Sequence, residues 1–191
     1  MVSSDQYRSF IALQPSAAQA ASICQWAKQN LPTLPKDVAL YSPEKLHLTL
    51  AFLGQRSMEF LQQLSQALQH IQPSLSQVII APYQLKLFPC ANDPQYLALM
   101  AEPNLSLLDL LAKVEQVLLK LGVESEARIF RPHITLAKLD SSSFEANGDQ
   151  SPLPMSVNLP TDISQTVTLF HSQLDHTGSI YQPVFSLNLT E

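Results

Sequence analysis

Charge is scarce in this chain of 191 residues: Asp, Glu, Lys and Arg together make up 14%, and the balance is acidic, at −5. Broad binding to a nucleic-acid backbone needs clustered Lys and Arg. That class of partner is therefore not expected, although one nucleotide or one RNA end in a local pocket still is allowed. Cysteine is nearly absent. Cys24 and Cys90 are too few for a disulfide framework and lack metal-type spacing, so both are expected to be reduced and structural. No stretch approaches the roughly 20 apolar residues of a membrane span. The opening Met1-Val2-Ser3-Ser4-Asp5 lacks the basic start and apolar run of a signal peptide. The expectation is a cytoplasmic protein with no membrane partner, and a monomer. With a hydrophobic fraction of 46% there is ample material for a core. The length suits a single domain over 1–191, built as one unit or as two small lobes.

Against that sparse background the chain writes nearly the same tetrapeptide twice, His47-Leu48-Thr49-Leu50 and His133-Ile134-Thr135-Leu136. Each is a short apolar run of the kind that forms a buried strand, in which successive side chains point to opposite faces. His47 and Thr49 then share one face, with Leu48, Leu50 and Phe52 on the other. His133 and Thr135 share a face in the same way. Two imidazoles, each with a hydroxyl two residues on, suit phosphate ester chemistry. One histidine takes a proton while the other gives one, and each threonine donates to a phosphoryl oxygen.

The rest of the chain alternates strands and helices. Tyr7 to Leu13 reads as a strand, followed after Pro15-Ser16 by a helix from Ala17 to Gln29 that Pro32 and Pro35 break. The first His strand covers Lys45 to Leu53 and is ended by Gly54. Ser57 caps a helix with Glu59 in its first turn, whose stripe is Leu61, Leu64, Leu68 and Ile71 and which Pro73 closes. A strand from Val78 to Leu87, interrupted near Pro82, is followed by the turn Asn92-Asp93-Pro94 and a strand from Tyr96 to Ala101. A helix from Leu105 to Leu121 is expected to bury Leu107, Leu111, Val114, Leu118 and Leu121, with Gly122 at the C-cap position. The second His strand covers Arg131 to Leu139. Ser141 to Ser156 reads as a surface loop. Strands over Gln165 to Leu174 and Val184 to Leu189 flank a turn at Asp175 to Ser179. Helices able to cover one face of a mixed set of strands give an α+β architecture of two similar lobes, with the two His-Thr faces meeting in a cleft.

At these motifs the chain closely resembles the 2H phosphoesterases, named for two His-x-Thr/Ser-x motifs. Within them it is similar to the bacterial RNA 2′,3′-cyclic phosphodiesterases, historically called 2′-5′ RNA ligases or LigT-like proteins. The likeness extends through Arg8-Ser9-Phe10-Ile11-Ala12-Leu13, Pro43 to Gly54, Leu85 to Pro89, Phe130 to Lys138 and the hairpin from Leu169 to Tyr181. The resemblance implies a bilobal α+β fold, one motif per lobe, with two pseudo-symmetric lobes of antiparallel sheet around a central cleft, and no metal or other cofactor. It implies hydrolysis of an RNA-terminal or nucleoside 2′,3′-cyclic phosphate to a 2′-phosphate, with 2′-5′ ligation as the reverse kind of chemistry. His133 is then the proton acceptor and His47 the proton donor. Thr49 and Thr135 hold phosphate oxygens, Lys138 adds positive charge, and Phe10 is a candidate nucleotide-stacking ring. Many relatives carry Arg where this chain has Lys138, which replaces a bidentate fork with a point charge. Phe170 and His171 stand where Tyr and Glu are common.

Blander roles compete at each position. Threonine is a good strand former in its own right, Phe10 suits a core, and Arg131 suits bracing the strand or approaching RNA rather than catalysis. His70, His171 and His176 are expected at the surface, and no third ligand joins His47 and His133 to make a zinc site. The competing functions are a phosphodiesterase on another nucleotide-derived ester, of the ADP-ribose cyclic phosphate type, and a nucleotide- or RNA-end-binding module without turnover.

Overall fold

The computed structural model describes residues 6–31, 34, 38–90, 94–124, 129–139, 154–175 and 178–191. It contains an eight-stranded antiparallel sheet in the order β10-β9-β1-β2-β6-β5-β4-β7 and a small two-stranded sheet, β3-β8. The strands are β1 (Gln6–Leu13), β2 (Leu48–Ser57), β3 (Val78–Ile80), β4 (Pro82–Pro89), β5 (Pro94–Ala101), β6 (His133–Lys138), β7 (Met155–Ser156), β8 (Asp162–Ser164), β9 (Thr166–Asp175) and β10 (Gly178–Asn188). The helices are α1 (Ala17–Asn30), α2 (Met58–Ile71) and α3 (Leu105–Lys120). Among the described residues no helix is long and apolar enough to cross a membrane.

Each helix starts where a side-chain oxygen can accept an otherwise orphaned backbone N–H. Ser16 accepts from Gln19 N, Ser57 from Phe60 N and Asn104 from Leu107 N. The end of α3 is a Schellman turn: Gly122 takes φ +76, Val123 N donates to Leu118 O and Gly122 N to Leu119 O. The three helices bury their apolar stripes (Ala20, Ile23, Ala27; Leu61, Leu64, Leu68; Leu107, Leu111, Val114, Leu118) in a single core with Ile11, Leu13, Leu48, Leu85, Leu97, Leu99, Ile134 and Leu169 of the sheet. They thus cover one face and leave the other open. The open face carries only a small cluster of its own, Phe10, Ala12 and Phe170 with Tyr181 against it.

The sheet is two like halves. In one, α1 links β1 to its antiparallel neighbour β2; in the other, α3 links β5 to its antiparallel neighbour β6. The halves join through one rung, Leu48 opposite Ile134. This bilobal α+β architecture is the one the element order predicts, and most element ends fall where expected. Several do not. Lys45 belongs to a 3₁₀ turn (Pro43–Lys45) and the strand runs on through Gly54 to Ser57. Gly54 takes φ +69, a conformation open to glycine, where the register slips beside Leu53, so it bends the strand rather than ending it. Met155 and Ser156, expected in a loop, pair with Leu85 and Gln84 as an edge strand; the rest of that expected loop up to 153 lies outside the described residues. The strand expected from Val184 begins at Gly178, and Asp175 and Ser179 pair within strands rather than turning. Ile163 and its neighbours form β8, which no periodicity signals. Pro32, Pro35, Asn92 and Asp93 lie outside the described residues. Cys24 is half-buried, but Cys90 is exposed and is not a core residue.

Candidate active site

The rung Leu48–Ile134 decides the site. One step to either side in an antiparallel pair sets His47 across from Thr135 and Thr49 across from His133, and directly opposed side chains share a face. Both motifs therefore meet on the open face, each imidazole beside the other motif's hydroxyl. Leu48 and Ile134, both fully buried, anchor the rung from the helix side.

The two motifs carry the same defect three residues after the histidine. Ala12 pairs with Thr49 and Ile11 with Ala51, leaving Leu50 extra; Ala98 pairs with Thr135 and Leu97 with Ala137, leaving Leu136 extra. A β-bulge of this kind shifts the in–out alternation by one. Phe52, expected opposite the histidines, is returned to their face, where it pairs with Phe10 and is 57% exposed. Lys138 takes the matching place in the second motif, opposite Tyr96 and exposed. Strict period-two counting misses both. A signal was available: the likeness extends to His47-Leu48-Thr49-Leu50-Ala51 against His133-Ile134-Thr135-Leu136-Ala137. The partner strands repeat too, as Phe10-Ile11-Ala12-Leu13 against Tyr96-Leu97-Ala98-Leu99.

Each imidazole is tied down in the same manner. Nδ1 of His47 contacts Lys45 O at 2.7 Å, and Nδ1 of His133 contacts Arg131 O at 2.7 Å. A carbonyl only accepts, so each Nδ1 carries a proton and each Nε2 is left to exchange one. The sockets differ, however. His47 lies 5.0 Å from Phe10 and 5.2 Å edge-on from Tyr181, with Phe170 at 6.3 Å. His133 stacks on Phe88 at 4.0 Å, and the Arg131 guanidinium lies 5.0 Å from the Phe88 ring and donates to Pro89 O. Arg131 is thus a brace for the second imidazole, as its position before Pro132 suggests. Phe10 is only 5% exposed, stacked on Phe170 at 5.2 Å. It has no free face for a nucleobase, so its candidacy as a stacking ring passes to Phe52. The two aromatic sockets are features that sequence reasoning did not single out; Tyr181 entered it only as part of the last hairpin.

Burial pushes both histidines below their ordinary value, against the raising effect of the carbonyl each one contacts. A smaller lowering comes from His133 on His47, and from the Arg131 charge on His133. Burial also pushes the Tyr41 phenol up to about 12, with Tyr181 and Tyr96 adding to the rise. A histidine held below its unfolded value of about 6.5 binds a proton more readily in the unfolded chain, so stability is full above that pH and falls as pH drops through it. Melting curves taken as pH is lowered through about 6.5 should show a falling midpoint, and the double variant His47→Gln/His133→Gln should lose much of that slope. A double variant with an unchanged slope would place the acid sensitivity elsewhere.

His171 departs from expectation. It is 8% exposed, edge-on to Tyr7 at 5.1 Å, with Nδ1 buried and unpartnered; as the neighbour of Ser9 in the β1–β9 register it faces the helix side. His70 is exposed, and His176 lies outside the described residues. Among the described residues no group of three His, Cys, Asp or Glu side chains converges as metal ligands do.

Two like half-sheets that each bring a histidine and a threonine to one crease are the arrangement that the resemblance to the two-histidine or 2H phosphoesterases implies. The family model for LigT-like phosphoesterases matches residues 13–95, a little under half of the chain. No curated protein sequence matches it. Among solved structures, E. coli LigT in complex with 3′-AMP superposes at a TM-score of 0.77 with 22% identity, over 98% of this chain and all of that one. TT0787 of Thermus thermophilus follows at 0.74 and 20%, over 95% of this chain and 97% of that one. The PDE domain of MHV ns2 gives 0.59 and 17%, over 86% and 99%. At such identities the likeness is one of fold.

Proposed function

We propose that the protein hydrolyses 2′,3′-cyclic phosphates, at an RNA 3′ end or on a nucleoside, to 2′-phosphates. The observation that carries this reading is the antiparallel rung Leu48–Ile134, whose continuation by one residue either way sets His47 across from Thr135 and His133 across from Thr49. A phosphorus seated there has an imidazole on each side and a hydroxyl donor at each end. Nε2 of His133 takes a proton from water as its oxygen bonds to phosphorus. The P–O3′ bond breaks, and the 3′ oxygen leaves with the proton from Nε2 of His47. One water is added and a 2′-phosphate is the product. Thr49 and Thr135 hold the non-bridging oxygens, where charge accumulates. No step needs a bound metal. Ligation would put the 5′-hydroxyl of a second RNA end in place of water: O5′ bonds to the phosphorus of the cyclic phosphate and gives up its proton, P–O3′ breaks and O3′ takes a proton, leaving a 2′-5′ phosphodiester.

The sockets support that assignment of roles. The Arg131 charge beside His133 favours its neutral form, which a base requires. His47 must be protonated, which burial opposes; a phosphate dianion or ester held between the hydroxyls offsets that cost by attraction. Charge elsewhere supports an anionic substrate. Among the described residues Asp175 is the one acidic residue in the eight-stranded sheet, whereas Arg8, Lys86 and Lys138 all fall on its open face. E. coli LigT, for its part, has been crystallised with 3′-AMP, ATP, NADP+ and phosphate.

The test is incubation with adenosine 2′,3′-cyclic phosphate in EDTA, with products resolved as 2′- or 3′-phosphate. A 2′-phosphate supports the reaction and its direction. A 3′-phosphate reverses which ester bond breaks and hence the acid and base. No turnover, repeated with an RNA oligonucleotide bearing a cyclic end, sinks the hydrolase reading. Phe52, exposed on the histidine face, is the ring available to a base. Phe52→Ala is expected to raise KM roughly tenfold, since stacking of one base contributes about 1–3 kcal/mol, with kcat little changed; an unaltered KM would remove the base from that ring.

A further inference from the structure

Beyond the aromatic row of Phe52, Phe10 and Phe170, the open face carries one more cross-strand row, made of Arg8, Ser172 and Tyr181. Arg8 is exposed and forms no ion pair among the described residues. Its charge reaches Tyr181, which stands edge-on to His47 at 5.2 Å. Along β1 the open face thus presents, in order, Ala12 at the level of Thr49, Phe10 at the level of Phe52, and Arg8. Each two-residue step is roughly 6.6 Å, and an arginine side chain is long enough to lean back over one of them.

That order matches the order of groups on a nucleotide. With the cyclic phosphate at the crease and the base on Phe52, the remaining substituent of the ribose is its 5′ oxygen, and the next row outward is the arginine. We propose that Arg8, with the Ser172 hydroxyl beside it, binds a phosphoryl group on the 5′ oxygen of the terminal nucleoside. A 5′-phosphorylated cyclic end is then preferred over a free nucleoside 2′,3′-cyclic phosphate. The guanidinium fork matches two phosphoryl oxygens at once, and among the described residues no carboxylate pairs with Arg8. The proposal rests on the cyclic-phosphate reading for the seat of the ribose. The shared chemistry is a 5′-phosphoryl group, which an upstream phosphodiester of RNA and a 5′-diphosphate both supply.

Binding tests it without requiring turnover. Calorimetry would compare adenosine 2′-phosphate with adenosine 2′,5′-bisphosphate on the wild type and on Arg8→Gln. The wild type is expected to bind the bisphosphate at least about tenfold more tightly, as a charge-assisted pair warrants. Arg8→Gln should lose that advantage while holding the monophosphate as before, and Arg8→Lys should keep part of it. Equal affinities in the wild type, an advantage that survives Arg8→Gln, or a loss shared by both ligands would each overturn it. Turnover of an ApA dinucleotide with a cyclic end, against that of an adenosine cyclic phosphate bearing a 5′-diphosphate, then tells which source gains more from Arg8. If the bisphosphate advantage depends on Arg8 while neither cyclic ester is hydrolysed, the binding site stands and the hydrolase reading alone fails.

Discussion

His47→Ala and His133→Ala are each expected to lower turnover of a 2′,3′-cyclic phosphate by roughly 10²–10⁴-fold, the usual worth of a positioned acid or base. Neither change should unfold the protein. Both side chains are half-buried on the open face rather than in the main core, and each gives up one hydrogen bond, to Lys45 O or Arg131 O. Because the proposed reaction puts both in one proton-transfer sequence, the double variant is expected to be little worse than either single one. The pH profiles should differ in kind. With His133 gone, the limb reporting loss of a base on the acid side disappears; with His47 gone, the limb on the alkaline side does. In the free enzyme both limbs should lie below the ordinary histidine value, since burial lowers both groups. Rates measured across pH on adenosine 2′,3′-cyclic phosphate check this. A variant that keeps activity within tenfold of wild type would remove its histidine from the chemistry.

The repeated tetrapeptide made the location of this site legible, because it encodes both the strand and the pair of groups that share a face. The helices were legible for a similar reason: Ser16, Ser57 and Asn104 stand where a cap must, and leucines recur at helical spacing behind the last two. What the pattern could not carry was anything set by pairing. The bulges at Leu50 and Leu136 arise between strands, and they move Phe52 and Lys138 to the histidine face against simple alternation. The sockets are non-local in the same sense. Phe170 and Tyr181 reach His47 only because β9 returns to lie beside β1, with β10 on its outer side, over a hundred residues later in the chain. His171 shows the opposite error: a polar residue in a sequence favours the surface, but the register to Ser9 turns it inward. Short edges such as β7 and β8 have too few residues for any periodicity to register.

The junction itself predicts the second large effect. A single rung joins the half-sheets, and Leu48 and Ile134 are both fully buried beneath it. Truncating either to alanine removes buried methyl groups and leaves a cavity, which costs about 2–5 kcal/mol. The same loss on a helix, Leu64→Ala in α2, has a similar stability cost, since Leu64 is also fully buried. The functional consequences should part company. At a temperature where all three variants remain folded, Leu64→Ala should keep its activity. Leu48→Ala and Ile134→Ala let the two motifs shift relative to each other, and a small misplacement of acid against base is expensive in rate, on the order of 10²-fold. Denaturant melts paired with initial rates on a cyclic phosphate measure both quantities. If the junction variants lose stability yet keep wild-type rates, the crease is not what aligns the two imidazoles, and the alignment must be held by the aromatic sockets on either side.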